Sequence, residues 1–490
     1  MAVLWAMAVA GCSAIEKRPE WDPDAFAPPS YDRSWQPSAD DAAAESADVA
    51  PSPGALAARD RVAVPTGTAT LGDLIDVALR QNPETRSAWA AARARAAAYG
   101  RTKSDYYPAL SAEAQGGYGR FLFQARPGPI TIEQASLEPQ LELTWLLLDF
   151  GRRGQEDEVA RQDLIAANYS FNRKMQDVVF AVQSAYYALD AARSLLEASE
   201  ENVKLARTVL EAARQRLDVG LETRPDVLLA QQVEARAVYE RENARVAVSD
   251  AQADLALTLG VPADLPIEIT GLADAKLPGE IATTVDELID ASLARRPDLS
   301  ARAAELRSRE AAIGLARASL WPTVGFEGAY GIDLWRYRFD GPPTDSVASP
   351  DYGAFLNFQW DLFLGFDRLN AIKEAQAERD RAIADLERLE LETIAAVWRA
   401  WHDYRAAQKR DEYAVALLAA SEDAYDSTLE SYRHGLSTVV DLLTGERDLA
   451  SARYTRIQAR ATLLTSAAKL AYVSGALSLN GPISPRSDGL

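Results

Sequence analysis

The sequence predicts an α+β membrane protein in which very long helices carry two β-hairpins, too few strands to close a barrel without further copies of the chain. Three observations predict it. First, the chain repeats itself: Leu74-Ile75-Asp76, Asn82-Pro83 and Tyr107-Pro108 return 214 residues on as Leu288-Ile289-Asp290, Arg296-Pro297 and Trp321-Pro322. At a shift of 215, Gly220 falls on Gly435, and Val179, Val182, Tyr186 and Leu189 fall on Ile394, Val397, Trp401 and Tyr404. A register held over so many landmarks marks duplication of one unit. Second, the hydrophobic period changes to two after each Tyr-Pro or Trp-Pro landmark. Third, the windows Arg152 to Leu217 and Asp367 to Arg433 contain no proline and almost no glycine. A helix of that length reaches about 100 Å at 1.5 Å per residue, against about 11 to 12 residues for an average globular helix.

Composition bounds the function. A chain of 490 residues would make about three ordinary domains if length alone set the count, but windows dominated by Ala, Leu, Glu, Asp and Arg point to long packed helices. The net charge of −20 and a pI near 4.7 repel nucleic acid and anionic lipid headgroups, because a phosphate-binding surface needs surplus Lys and Arg, and nucleic-acid binding is set aside. Two histidines, His402 and His434, cannot supply a histidine metal cluster, and neither a phosphate loop nor a nucleophile elbow is present. The chain is therefore read as no enzyme, with no cofactor and no metal.

Cys12 is the only cysteine, which excludes an internal disulfide. It ends an apolar run, Val3 to Gly11, too short to span a bilayer. Val9-Ala10-Gly11-Cys12 resembles the lipobox of bacterial lipoproteins, in which the cysteine is acylated. Residues 1–12 are then a signal peptide, although its basic start is missing, and the alternative is a free thiol. Ser13 in place of Asp favours an outer-membrane address. Residues 13–70, rich in Pro, Asp, Ser and Ala, cannot bury enough apolar area to fold alone and are read as an extended tether. Two structural repeats follow, 71–283 and 284–478, with a tail at 479–490.

In the first repeat Leu110, Ala112, Ala114 and Tyr118 alternate with Ser111, Glu113 and Gln115, and Leu137, Leu141, Leu143 and Trp145 with Glu138, Gln140 and Glu142. The second repeat carries the same pattern at Val324 to Leu334 and Tyr352 to Leu362. Hairpins are thus expected at about 108–149 and 322–366. Strands of about ten residues, apolar on one face and polar on the other, match transmembrane barrel strands; a sheet on a soluble core gives the same pattern. Four strands cannot close a barrel and an open edge cannot stand in lipid, so several chains must contribute. Within the first long helix Val178, Val182, Ala185, Leu189, Ala192 and Leu196 space as a coiled-coil seam. Gly220 and Gly435 sit where a left-handed C-cap is wanted, and Thr223-x-x-Asp226 and Thr438-x-x-Asp441 read as capping boxes that start the returning helices.

Paired halves, two hairpins, four long struts and these turns resemble the TolC-like outer-membrane efflux family over about Leu71 to Leu477. The resemblance is carried by Asn82-Pro83, Tyr107-Pro108, Asp149-Phe150-Gly151-Arg152, Arg216 to Leu221, and Tyr432 to Leu443. It implies a homotrimer with a 12-stranded outer-membrane barrel and a helical coiled-coil tunnel in the periplasm. It also implies that the turns meet a periplasmic adaptor and, through it, an inner-membrane transporter. The lipobox is similar to that of the family's lipidated branch.

Asp226, Asp441, Thr223 and Thr438 are the candidates for gating at the tip, and Gly220, Leu221, Gly435 and Leu436 for adaptor contact. Capping alone would equally explain each Asp and each glycine. Relatives of this kind often carry basic residues and a second Asp near the second turn, where this chain has Ser437 and Thr444; Arg224, Arg433 or Glu446 are the substitutes. Arg152 and Arg153 could anchor at the interface or simply begin the helix, and Trp145, Trp335 and Trp360 could form an interfacial belt. The expected function is the passive outer-membrane channel of a tripartite efflux pump. The alternatives are the outer-membrane component of a type I protein secretion system and a periplasmic coiled-coil scaffold without a pore.

Overall fold

The computed structural model describes residues 67–477 except 125, 127, 264, 266, 273–278, 280–283 and 340–343, and also residues 30, 32 and 33. Cys12, the 1–12 leader, nearly all of the 13–70 tether and the 479–490 tail lie outside these residues. In chain order the elements are α1 (Leu71–Gln81), α2 (Pro83–Lys103), β1 (Ala109–Phe123), β2 (Ile130–Leu148), α3 (Arg152–Asp218), α4 (Arg224–Leu259), α5 (Val285–Arg295), α6 (Pro297–Ala318), β3 (Thr323–Phe339), β4 (Thr344–Gln359), α7 (Asp367–Arg433) and α8 (Val439–Val473). They group into two compact bodies. One comprises 94–166 and 302–386, the other 67–93, 167–301 and 387–477.

The first body is built on a four-stranded antiparallel sheet in the order β1-β2-β3-β4. Direct partners share a face. Leu110 with Leu143, Ala112 with Leu141 and Gly116 with Leu137 form one side, continued on β3 by Tyr330 beside Leu141 and Leu334 beside Leu137. Glu113 with Gln140 and Gln115 with Glu138 form the other. The strands run to 15, 19, 17 and 16 residues, longer than the expected ten, because they continue beyond the apolar stretch. Strand residues on both faces are exposed or half-exposed apart from Gly331, so among the described residues no soluble core is packed on this sheet. Trp335 pairs with Ser136 on the polar face, which removes it from the expected outer belt: an odd position on β3 cannot share a side with Phe326 and Leu334.

Each hairpin is clasped to the helix that follows it. At Asp149 the carboxylate accepts from the Arg153 backbone N–H at 2.8 Å and from Arg153 Nε at 2.9 Å. The same guanidinium donates to the carbonyls of Leu146 and Asp105, at 2.7 and 3.1 Å. Arg153 is thus a junction residue, tying the end of β2 to the start of α3. In the second repeat Arg368 takes this place, donating to the Asp361 carboxylate at 2.9 Å and to its carbonyl at 2.6 Å. Trp145 Nε1 donates to Tyr106 O and Trp360 Nε1 to Leu320 O, both at 3.1 Å, so each indole fastens its strand to the preceding segment. Phe150 and Phe366 hold positive φ, 51° and 68°, at the two junctions where strand must become helix within a few residues.

The second body is a helical core. Leu74, Val77 and Ala78 of α1 pack with Val178, Val182, Tyr186 and Leu189 of α3, Leu255, Ala256 and Leu259 of α4, and Leu464 and Ala468 of α8. The Asn82-Pro83 landmark now has a cause. It breaks α1 from α2 against the C-cap of α4, where Asn82 Nδ2 donates to Thr258 O at 2.8 Å, and a Cβ on Gly260 would lie 2.8 Å from Asn82 Cα. In the duplicate, Arg296 reaches Val473 O at 3.4 Å and packs on Gly475.

Candidate functional site

The paired turns belong to this second body. Both are full Schellman caps, in which two backbone N–H groups close the last helical carbonyls. Gly220 N donates to Leu217 O at 2.9 Å and Leu221 N to Arg216 O at 2.8 Å; Gly435 N donates to Tyr432 O at 3.0 Å and Leu436 N to Ser431 O at 2.8 Å. The glycines stand at φ 79° and 73°, and a Cβ at either would meet nothing within 4 Å. Glycine is required there by backbone conformation alone. Leu221 and Leu436, at equivalent positions of the two turns, are left 67% and 82% exposed in the single chain, and Val219 beside the first of them 69%.

The returning helices start as expected from Thr and Asp. Asp441 Oδ2 accepts from Thr438 N at 2.9 Å and from its Oγ1 at 2.6 Å, while Thr438 Oγ1 accepts from Asp441 N at 3.3 Å. Asp226 receives the same pair of bonds from Thr223 N and Oγ1. Hydrogen bonds from the threonine, side chain first and backbone second, hold both carboxyls below the ordinary Asp range, so within one chain the caps keep Asp226 and Asp441 ionised.

A link between the two turns was not legible in the sequence. Arg216, in the last turn of α3, donates from Nη1 to Tyr432 O at 3.2 Å and lies 4.6 Å over the Tyr432 ring. Its Nε sits 3.3 Å from the Glu222 carboxylate. Burial, and then the Glu222 charge, push the Tyr432 hydroxyl up to about 12. The Tyr432 carbonyl thus accepts from both Gly435 N and Arg216, joining one cap to the other. Beneath them Val209, Leu210 and Ala213 of α3 pack with Tyr425 and Tyr432 of α7 and Val439, Leu442 and Leu443 of α8.

Of the proposed substitutes around the second turn, Arg433 pairs locally with Glu430 at 2.6 Å. Ser437 Oγ donates to Thr428 O at 3.2 Å. Glu446 turns inward, only 4% exposed.

The model of the family described as outer membrane efflux protein matches residues 74–261 and again 288–476, the two matches starting 214 residues apart and ending 215 apart. The chain belongs to the outer membrane efflux protein family. Protein CyaE of Bordetella pertussis is 32% identical to this efflux protein over 83% of the chain and 84% of its own length. The probable efflux pump outer membrane protein TtgC of Pseudomonas putida is 27% identical over 82% and 81%. Among solved structures, the Campylobacter jejuni CmeC outer membrane channel aligns with a TM-score of 0.72 at 16% identity, covering 83% of the chain and 85% of the channel. The fold is that of outer-membrane channels, a long helical portion joined to a β-barrel. The protein is an outer-membrane efflux channel.

Proposed function

We infer that three copies of the chain close a twelve-stranded barrel and serve as the passive exit duct of a tripartite efflux pump for small molecules. The observation that carries this is the sheet: β1 and β4 each pair on one side only, and its apolar face is uncovered. Unpaired strand edges and bare apolar surface are both intolerable in isolation. Edge-to-edge closure in lipid satisfies both, with the carboxylate face turned to a wet lumen.

Relatives are named for efflux of toluene, antibiotics and cations, which suggests that cargo is chosen elsewhere and the duct is general. In this reading the paired turns meet a periplasmic adaptor, with exposed Leu221 and Leu436 as its apolar contacts and Gly220 and Gly435 shaping the loops. Through that adaptor the duct joins an inner-membrane transporter. Asp226, Asp441, Thr223 and Thr438 then set how firmly the inner end closes, and an acyl chain on Cys12 anchors each subunit to the outer membrane.

The test is the mass of the detergent-solubilised protein together with its conductance in planar bilayers. A trimer that carries ion current, and a deletion strain that accumulates drugs, are expected. A detergent-free monomer would end the reading.

A further inference from the structure

The outward face of the sheet changes character along its length. From Trp145 to Leu137 on β2 and from Phe326 to Leu334 on β3, no outward position is charged. Toward the hairpin loops the next two rows bring Arg336 opposite Ala135, then Arg120 and Arg338 on either side of Glu133. These three are the only Lys or Arg residues on the four strands. All share the face of the apolar stretch, while the opposite face carries Glu113, Glu138, Glu142, Glu327, Asp333, Asp345 and Asp351.

Spacing gives the arginines their level. The twelve steps from Trp145 to Glu133 cover about 40 Å of strand, or about 30 Å along the axis of a barrel whose strands tilt by about 40°. That matches the thickness of a bilayer's hydrocarbon core, about 30 Å. With the Trp145 row at the inner interface, the arginines stand at the outer one, where headgroups lie.

Glu133 keeps two guanidiniums side by side, its carboxylate oxygens 3.7 Å from Arg120 Nε and 3.7 Å from Arg338 Nη1. Arg336 forms no ion pair with a described residue and is exposed. Three cations against one carboxylate leave a local surplus of positive charge on a chain of net −20. Guanidinium forks match phosphate oxygens bidentately, which a lysine rim would not do.

We propose that Arg120, Arg336 and Arg338 form a phosphate clamp for the headgroup of an outer-leaflet glycolipid, the phosphorylated diglucosamine of lipid A. The clamp fixes the height of the barrel in the membrane and rests on the barrel reading above. Only a lipid satisfies the whole surface, because the arginines are continuous with an acyl-facing apolar band.

The full-length protein in detergent is titrated with bisphosphorylated lipid A and with the same lipid stripped of its phosphates, and bound lipid is counted by native mass spectrometry. Removing the phosphates is expected to weaken retention at least about tenfold, as is the combined substitution Arg120→Gln, Arg336→Gln and Arg338→Gln. Excess inorganic phosphate should displace little of the lipid. Equal retention of both lipids by the unaltered protein, or full displacement by inorganic phosphate, overturns the clamp, and neither result depends on the variant folding. Conductance in phosphatidylcholine bilayers reports on the barrel separately: a conducting protein blind to the phosphates loses only the clamp, whereas one that never conducts loses both.

Discussion

At the scale of single residues, Glu446 is the group whose chemistry is most at odds with its place. It lies on α8, 4% exposed, and its Oε2 has no hydrogen-bond partner among the described residues. Tyr425 of α7 is close enough for the Glu446 charge to oppose its own ionisation. Burial raises the Glu446 carboxyl from the ordinary 4.5 to about 7, so between those values the folded chain holds a proton that the unfolded chain has lost. Stability must then fall as pH rises through that window, with the full cost present above about 7 and none below about 4.5. Glu446→Gln is expected to raise stability at pH 8 by about 1 to 3 kcal/mol and to change little near pH 4.5. Thermal unfolding of the purified protein across that range decides it; a gain independent of pH would show that packing and not ionisation is responsible.

At the scale of elements, four helix ends finish in the same left-handed glycine, Gly220, Gly260, Gly435 and Gly475, yet they should not respond alike to substitution. Gly435→Ala pays for the left-handed backbone alone, about 1 to 2 kcal/mol, since the new methyl meets nothing. Gly260→Ala adds a methyl 2.8 Å from Asn82 Cα and 3.0 Å from Pro83 Cδ, in a joint of backbone and ring that cannot swing aside, and should cost about 2 to 5 kcal/mol. Denaturant titration of the two variants compares them directly, and equal losses would mean that the α1–α2 break yields. The sequence carried this architecture well where period and punctuation define it. Asp367–Arg433 has the bounds that the glycine- and proline-free window implies, because nothing but a cap can end such a helix. It could not carry the Arg216–Tyr432 link or the Arg368–Asp361 clasp. Arg216 and Tyr432 are 216 positions apart, and no local rule relates them. In the second hairpin the acidic partner lies seven residues before its arginine, where the first hairpin uses four, so no spacing shared by the two repeats relates them. The extra strand length escaped for a related reason: beyond the apolar rows β3 exchanges its pattern, arginines moving to the outer face and Trp335, Tyr337 and Phe339 to the inner.

At the scale of the assembled channel, the face opposite the lipid decides what passes easily. Each chain places seven strand carboxylates there and no lysine or arginine, with one of them, Glu327, held by Asn357 Nδ2 at 2.8 Å. Three copies around one bore multiply that charge within low-dielectric walls, which concentrates counter-ions and repels anions. The open channel should therefore prefer cations, and the preference should weaken as salt shortens the Debye length from about 10 Å at 0.1 M to about 3 Å at 1 M. Glu113, Glu138 and Glu142 lie on adjacent strands of the first hairpin, so replacing all three with glutamine should lower the cation-to-anion permeability ratio several-fold without changing the fold, because none is buried. Reversal potentials under a salt gradient measure the ratio. An unaltered ratio in the triple variant would place the carboxylate face away from the conducting path and so reverse the orientation assigned to the whole sheet.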